Sequence, residues 1–237
     1  MKAELSGLSI VEETDDYIVV DKPGELVCHP TKGDYTSSLI GRLRHYFEGT
    51  EIQPRFVNRL DRETSGLVVI SKTREFHKVL YHQLEKARKI YLAVVEGELR
   101  GEGVIDQPLG KDETSAVVVK QAVRPDGKPS LTRWRVLATT GDASLLEVEL
   151  VTGRMHQIRV HAAEMGCPLL GDFKYDPAQT LLAENPDLPE ALHLHARRLI
   201  FRHPVTGKKI DITAPVGPEM KKTMKYFGFP DNAKSDP

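Results

Sequence analysis

One aspartate sits in a polar loop where a carboxylate could do chemistry. Asp61 lies in the run 58–66 (Asn-Arg-Leu-Asp-Arg-Glu-Thr-Ser-Gly), with Arg59 and Arg62 on its two sides. Neighbouring guanidinium groups lower the pKa of a carboxyl group and keep it ionised at neutral pH. Such a carboxylate can act as a nucleophile or as a base. The alternative is a turn aspartate that caps its own loop, and these residues alone favour that alternative.

A tyrosine lies in a second run, Lys89–Gly97, which is rich in β-branched and apolar residues. The composition predicts a strand that stops at the glycine. Taken alone, this run predicts that Tyr91 packs in the core with its hydroxyl group bonded to a partner.

A third run, 152–161 (Thr-Gly-Arg-Met-His-Gln-Ile-Arg-Val-His), carries two arginines and two histidines. Its pattern predicts a helix over residues 154–165. The N-terminus of a helix is a favourable place for a phosphate group. We therefore expect Arg154 and His156 to bind phosphate.

The histidines do not predict a metal site. His156 and His161 are five residues apart, so they do not share a helix face as a zinc-binding i, i+4 pair does. His193 and His195 share one face of a predicted strand, but no cysteine or carboxylate completes a ligand set at a recognisable spacing. Glycine-rich phosphate loops and the G-x-S-x-G motif are also absent from the sequence, so we expect no metal and no nucleotide cofactor.

Apolar periodicity places these groups on elements of both kinds. The predicted helices cover residues 36–47, 76–87, 154–165 and 219–227, and the predicted strands cover 17–20, 56–60, 67–70, 90–95, 116–120, 131–138, 145–151, 192–202 and 209–213. Strands and helices do not alternate regularly, which favours an α+β fold with a mostly antiparallel sheet. The segment 125–129 is typical of a hairpin tip and not of a linker, so we expect a single domain over residues 1–237.

The composition is that of an ordinary globular protein. Of the 237 residues, 40% are hydrophobic and 28% are charged, and the formal net charge is −1, so any nucleic-acid contact must come from a local patch. Cys28 and Cys167 form no C-x-x-C motif and are expected to be buried free thiols. We find no signal peptide and no stretch near the about 18 apolar residues of a membrane span, which predicts a cytoplasmic protein without membrane contact.

The motifs together resemble the RluA-type family of RNA pseudouridine synthases. The run 58–66 is similar to the family's H-R-L-D-x-x-T-S-G motif, with Asn58 in the place of the histidine. Further similar segments are K-x-Y-x-A at 89–93, T-G-R-x-H-Q-I-R-x-H at 152–161 with its continuation to Gly171-Asp172, the L-H-A to H-P-x-T-G run at 194–207, and Asp21-Lys22-Pro23 near the start. The resemblance extends from about Tyr17 to Pro215, and its motifs follow one another in the family's order.

This resemblance implies roles for three residues. Asp61 would be the catalytic aspartate, Tyr91 the tyrosine that packs on the target base, and Arg159 the arginine that pairs with the aspartate. The implied fold is the pseudouridine-synthase core, a mixed, mostly antiparallel sheet flanked by helices with a central cleft. Too few residues precede Tyr17 for an S4 RNA-binding domain, so a stand-alone catalytic domain that needs no cofactor is expected.

The implied partner is RNA, either ribosomal or transfer RNA, and the protein is expected to be a monomer. Arg59, Arg62, Lys72 and Arg74 could form a basic rim that grips the RNA backbone. For Lys72 and Arg74 a solvated loop is equally expected.

Two other functions remain open. The first is a catalytically inactive RNA-binding or ribosome-assembly protein with the same fold, although the presence of Asp61, Tyr91 and Arg159 together speaks against it. The second is a nucleoside or sugar hydrolase that acts on small molecules. A single candidate carboxylate with several arginines favours a phosphate-bearing polymer instead.

Overall fold

The computed structural model describes residues 8–30 and 37–230. They form two compact units. Unit 1 contains the described residues up to Lys89 together with Ala196–Pro215, and unit 2 contains Ile90–His195 together with the described residues from Val216 onward. The single domain over the whole chain stays a prediction. Among the helices described, none is long and apolar enough to cross a membrane.

Strands outnumber helices along the chain. The strands are β1 (Ser9–Glu13), β2 (Tyr17–Lys22), β3 (Arg55–Phe56), β4 (Ser65–Ser71), β5 (Arg88–Glu96), β6 (Glu102–Asp106), β7 (Leu109–Lys111), β8 (Gln121–Val123), β9 (Leu131–Thr139), β10 (Ala143–Leu150), β11 (Leu194–Arg202) and β12 (Lys209–Thr213). The helices are α1 (Leu39–Tyr46), α2 (Arg74–Glu85), α3 (Gln157–Glu164), α4 (Thr180–Glu184) and α5 (Pro218–Tyr226).

The sheet of unit 1 has the strand order β1-β2-β4-β11, with β12 paired to β11 and β3 paired to β4. Strand β2 is apolar on both faces because each face is covered by a helix. Ile18 and Val20 pack in one cluster with α1, and Tyr17 and Val19 pack in another with α2. The side chain of Ser38 caps α1 by accepting a hydrogen bond from the Gly41 amide.

The sheet of unit 2 has the strand order β5-β10-β9-β6, and β7 and β8 form a separate hairpin. Leu92 and Val94 of β5 pack with Leu145 of β10 and with Met220 and Met224 of α5. The described pairs β1–β2, β2–β4, β3–β4, β6–β9, β7–β8, β9–β10 and β11–β12 are all antiparallel. The predicted α+β fold with a mostly antiparallel sheet is therefore confirmed. Of the two free cysteines, Cys28 is buried as predicted, whereas Cys167 is partly exposed.

The predicted strand over 116–120 is wrong. The chain turns between Asp112 and Lys120, and the next strand begins at Gln121. The Asp112 carboxylate accepts hydrogen bonds from the amide and hydroxyl groups of Thr114, and such local bonds compete with a sheet ladder. The valines at 117–119 are exposed, so burial does not stabilise a strand there.

Two further predicted boundaries are wrong. The strand predicted over 56–60 ends at Phe56, because the side chain of Asn58 bonds to β4 in place of its backbone. Helix α3 begins at Gln157 and not at Arg154, because His156 adopts a left-handed conformation with φ of 56°. The predicted start of the first helix, residue 36, lies outside the described residues.

Candidate active site

Asp61 lies in unit 1, in the loop between β3 and β4, and it is half-buried. Arg59 and Arg62, on its two sides, are exposed. The Arg62 guanidinium lies 3.2 Å from a Glu25 carboxylate oxygen and 3.8 Å from one of Glu63. The predicted loop position of Asp61 between two arginines is therefore confirmed.

The side chain of Asn58 holds the start of this loop. Its Nδ2 donates a hydrogen bond to the Leu67 carbonyl at 3.2 Å, and its Oδ1 accepts one from the Val69 amide at 2.7 Å. One side chain thus satisfies two backbone groups of β4 where the pairing of β3 has ended. Asn58 has a structural role in this loop three residues before Asp61.

A buried lysine holds the other side of the loop. Lys22 is 0% exposed. Its ammonium group donates hydrogen bonds to the carbonyls of Pro23 at 2.9 Å, Leu26 at 2.9 Å and Arg62 at 3.0 Å. Burial lowers the pKa of Lys22 to about 8, although acidic groups that include Asp61 act in the opposite direction. In the sequence, Lys22 stands out only within the Asp21-Lys22-Pro23 resemblance, which gives it no role in the site.

The expected basic rim is smaller than the sequence allows. Lys72 is buried, its Nζ lies 2.8 Å from a Glu13 carboxylate oxygen, and it also donates to the Thr14 carbonyl, so it cannot grip an RNA backbone. The prediction of Lys72 as a rim residue is wrong, because its side chain packs inward from the end of β4. Arg74 is exposed at the start of α2 and stays a prediction.

Arg159 lies in unit 2, on α3, and is 2% exposed. Its Nε lies 2.8 Å from Oδ2 of Asp172 and its Nη2 lies 2.6 Å from Oδ1, which is a two-point fork between buried side chains. The guanidinium carbon lies 5.4 Å from the centre of the Tyr175 ring. In the sequence, Asp172 belongs to the continuation of the matched motif at Gly171-Asp172, but nothing there predicted it as the partner of Arg159. The predicted pairing of Arg159 with Asp61 stays a prediction.

His156 and Arg154 precede α3 and differ from each other in exposure. The His156 ring is buried, and its Nδ1 lies 2.6 Å from the Tyr175 hydroxyl oxygen. Arg154 is exposed, and its Nε donates a hydrogen bond to the Pro129 carbonyl at 3.1 Å. The prediction that both residues lie within the helix is wrong. Their predicted contacts with phosphate stay predictions.

Tyr91 is buried in β5 of unit 2. Leu92 and Val94 face the apolar cluster that contains α5, so the alternation along a strand places Tyr91 on the opposite face with Ala93 and Val95. Ala93 and Val95 line a small apolar cavity of about 10 Å³ with residues of α3. The predicted strand position of Tyr91 is therefore confirmed, and its contact with a target base stays a prediction.

Two further histidines of unit 2, His161 and His193, connect elements of the fold through their ring nitrogens. His161 bonds to the Thr132 hydroxyl at 2.8 Å and to the Gln107 carbonyl at 3.1 Å. His193 bonds to the Leu170 carbonyl at 3.1 Å and to the Thr223 hydroxyl at 2.7 Å. Burial lowers the pKa of both rings, to about 4 for His193. Over residues 8–30 and 37–230, no three His, Cys, Asp or Glu side chains are grouped so that they could hold a metal ion.

Known proteins give this arrangement a family. A family model described as RNA pseudouridylate synthase matches residues 16–164. The ribosomal large subunit pseudouridine synthase D of Vibrio parahaemolyticus is 35% identical over 94% of this chain and 74% of its own length. The protein of the same name from Haemophilus influenzae is 38% identical over 91% of this chain and 69% of its own length.

A solved structure supports the same fold. The human RNA pseudouridylate synthase domain containing 1 superposes with a TM-score of 0.74, over 100% of this chain and 99% of its own, at 23% identity. Taken with the matched motifs, these similarities show that the chain belongs to the RNA pseudouridylate synthase family and is an isomerase that modifies RNA.

Proposed function

We propose that this protein converts specific uridines of ribosomal or transfer RNA into pseudouridine, with Asp61 as the catalytic carboxylate. The observation that carries the proposal is the Asp61 loop, which Asn58 and Lys22 fix from two sides within a chain of this family. The names of the relatives from Vibrio and Haemophilus favour ribosomal RNA of the large subunit.

The reaction explains why one carboxylate suffices. The N1–C1′ bond of uridine breaks, the uracil turns, and its C5 bonds to C1′, while C5 loses a proton and N1 gains one. An ordinary glycosidase uses two carboxylates because a water molecule must be activated. Here the detached uracil is itself the incoming group. Asp61 would either attack C1′ or remove the 2′ proton.

Two more residues complete the proposed chemistry. Arg159 would keep Asp61 ionised and oriented. Tyr91 would hold the freed base by its ring face. A uridine inside paired RNA must first leave the stack, and Arg59, Arg62, Arg74, Arg154 and His156 are the proposed contacts with the surrounding RNA.

The proposal includes the conditions in which the protein works. The isomerisation is redox-neutral and imports no group, so we propose that it needs neither a metal ion nor an organic cofactor. We also propose that the protein is a cytoplasmic monomer that meets no membrane. The relatives are named for the large ribosomal subunit, which supports the cytoplasmic location.

The test is release of tritium from RNA labelled at uridine C5. Purified protein is incubated with ribosomal RNA, transfer RNA and free nucleosides, and Asp61→Asn serves as the matched variant. We expect release from one RNA class with wild type and none with Asp61→Asn, whose folding and RNA binding stay intact. RNA binding without release would support the inactive alternative, and turnover of free nucleosides would support a hydrolase.

A further inference from the structure

The surroundings of Arg159 form a preorganised cradle for a guanidinium group. We propose that Asp172 and Tyr175 are positioning residues, which fix the Arg159 guanidinium in the orientation that the reaction requires. This inference rests on the proposed function, in which Arg159 orients the reacting carboxylate.

The fork to Asp172 fixes the plane of the guanidinium group. Both contacts are short, at 2.8 Å and 2.6 Å, and the two side chains are 3% and 0% exposed. A two-point contact defines an orientation, whereas a single contact lets the group turn. Two guanidinium nitrogens of Arg159, Nε and Nη2, both bond to Asp172. The third nitrogen, Nη1, therefore points in a fixed direction.

Stability alone does not explain a pair buried this deeply. Moving two charges out of water costs free energy that their attraction offsets only in part, and apolar replacements of similar volume are often neutral or stabilising. A fully buried Arg–Asp fork therefore suggests a requirement for orientation. The Arg198–Asp211 pair of unit 1 has a similar fork, at 2.7 Å and 2.8 Å, but its side chains are partly exposed.

Tyr175 supports the guanidinium through its ring. The guanidinium carbon lies 5.4 Å from the ring centre, within the range of a cation–π contact. The Tyr175 hydroxyl oxygen lies 2.6 Å from Nδ1 of His156 and accepts a hydrogen bond from the Gln121 amide at 3.0 Å. Because its far end is held by two partners, the ring cannot swing away from Arg159.

The segment that carries both residues is itself fixed. The Lys174 amide donates to Oδ1 of Asp172, and the Tyr175 amide donates to the Asp172 carbonyl. Gly171 has φ of 80°, and a Cβ placed there would lie 1.9 Å from the Ala191 carbonyl oxygen. Only glycine allows this backbone approach. The backbone that carries Asp172 and Tyr175 is therefore held by contacts that do not involve Arg159.

Chemical rescue tests the cradle. Arg159→Ala removes the group that ethylguanidinium resembles, so added ethylguanidinium chloride should occupy the empty place. We expect it to raise the single-turnover rate of Arg159→Ala by about tenfold or more, because positioning is worth several powers of ten in such reactions. The rescue should disappear in Arg159→Ala/Asp172→Asn and weaken in Arg159→Ala/Tyr175→Leu. Sodium chloride at equal ionic strength is the control for salt.

Arg159→Ala/Asp172→Asn leaves no unpaired buried charge, because it removes both charges of the pair. It should therefore fold even if Asp172→Asn alone does not. Arg159→Ala/Asp211→Asn is the matched control, and it should keep the full rescue. Equal rescue with and without Asp172, or no rescue of Arg159→Ala beside an active wild type, would overturn the proposal.

A second measurement does not depend on turnover. A ligand that binds only the folded state raises the melting temperature. Ethylguanidinium should therefore raise the Tm of Arg159→Ala by more than it raises the Tm of Arg159→Ala/Asp172→Asn. The same shift in both variants would exclude the cradle even if the proposed function failed, whereas a wild type that releases no tritium would contradict only the proposed function.

Discussion

The side-chain amide of Asn58 pairs with the backbone of Val69 as a peptide group would. Oδ1 accepts from the Val69 amide at 2.7 Å, while the Val69 carbonyl accepts from the amide of Val57 at 2.9 Å. The chain can therefore leave the sheet after Phe56 without losing its hold on β4. This contact fixes the start of the Asp61 loop and gives a structural reason for Asn58.

Replacement by the family's histidine should be tolerated. Imidazole has one donor and one acceptor when neutral, so it can keep part of the pairing with Leu67 and Val69. We expect Asn58→His to change the single-turnover rate by less than about tenfold and to add no pH step between about 5 and 8. A large gain in rate with a new histidine-like titration would contradict a structural role. Asn58→Leu is the comparison variant, and it should lower the free energy of unfolding by about 1–3 kcal/mol.

Periodicity predicted most of the fold because burial follows it directly. Leu67–Ile70 and Ile90–Val95 are strands as expected, since each is a continuous apolar run covered on both faces. The run 116–120 has the same β-branched composition, yet nothing covers its valines, and the turn at Asp112 decides the local structure. The composition of a run does not show whether another element of the fold will pack on it and bury its side chains.

The site was predictable only as far as its motifs extend. Asp61 was proposed from the resemblance of its motif to the family, because its neighbours alone favour a turn aspartate. The hydrogen bond from Lys22 to the Arg62 carbonyl spans 40 residues, and the fork from Arg159 to Asp172 spans 13 residues. Partners so far apart are brought together by the strands and loops between them. No spacing rule for a single element predicts such contacts.

Lys22 should give the protein a pH-dependent stability above neutral pH. Burial lowers its pKa from 10.5 to about 8, so between these values the unfolded chain binds more protons than the folded protein, and stability rises with pH. Lys22→Met removes this dependence and leaves three carbonyls without their donor. We expect it to lower the free energy of unfolding by about 1–3 kcal/mol at pH 7. The deficit relative to wild type should grow from pH 8 to pH 10 in urea titrations.

The exposed lysine Lys78 of α2 gives the control for Lys22. Lys78→Met should change neither the stability at pH 7 nor its pH dependence. If the free energy of unfolding depends on pH in the same way in Lys22→Met and Lys78→Met, the hydrogen bonds of Lys22 to the Asp61 loop do not stabilise the fold.

His193 should contribute to unfolding in acid. Burial lowers its pKa from 6.5 to about 4, so the unfolded chain takes up a proton in this window that the folded protein cannot. The stability contribution is complete above pH 6.5 and is lost as the pH falls towards 4. His193→Gln should flatten the fall in Tm between pH 6.5 and pH 4, whereas the exposed His45→Gln should leave it unchanged. An unchanged slope in His193→Gln would show that other groups cause the acid sensitivity.

Chelators should leave the activity intact. No described group of three or more His, Cys, Asp or Glu side chains could hold a metal ion, and the isomerisation requires no oxidation. We expect full tritium release after exhaustive treatment with EDTA, in RNA whose own folding has been checked without divalent ions. Loss of release that zinc or magnesium restores, with the RNA fold unchanged, would contradict a cofactor-free enzyme.

Arg159→Lys should separate orientation from charge. Lysine keeps a positive charge near Asp172 but has no planar fork, so it can make only one of the two contacts at 2.8 Å and 2.6 Å. Its compact ammonium group also lacks the planar surface that a guanidinium group offers to an aromatic ring. We expect the single-turnover rate to fall on the order of a hundredfold, because a misplacement of about 1 Å costs that much in a preorganised site. RNA affinity should change by less than about tenfold, since a buried side chain adds little to the attraction between basic residues and phosphates.

Filter binding and single-turnover tritium release on the same RNA measure the two quantities. A fall in affinity without a fall in rate would mean that Arg159 grips phosphate, and the roles proposed for Asp172 and Tyr175 would then concern RNA binding instead of the chemical step.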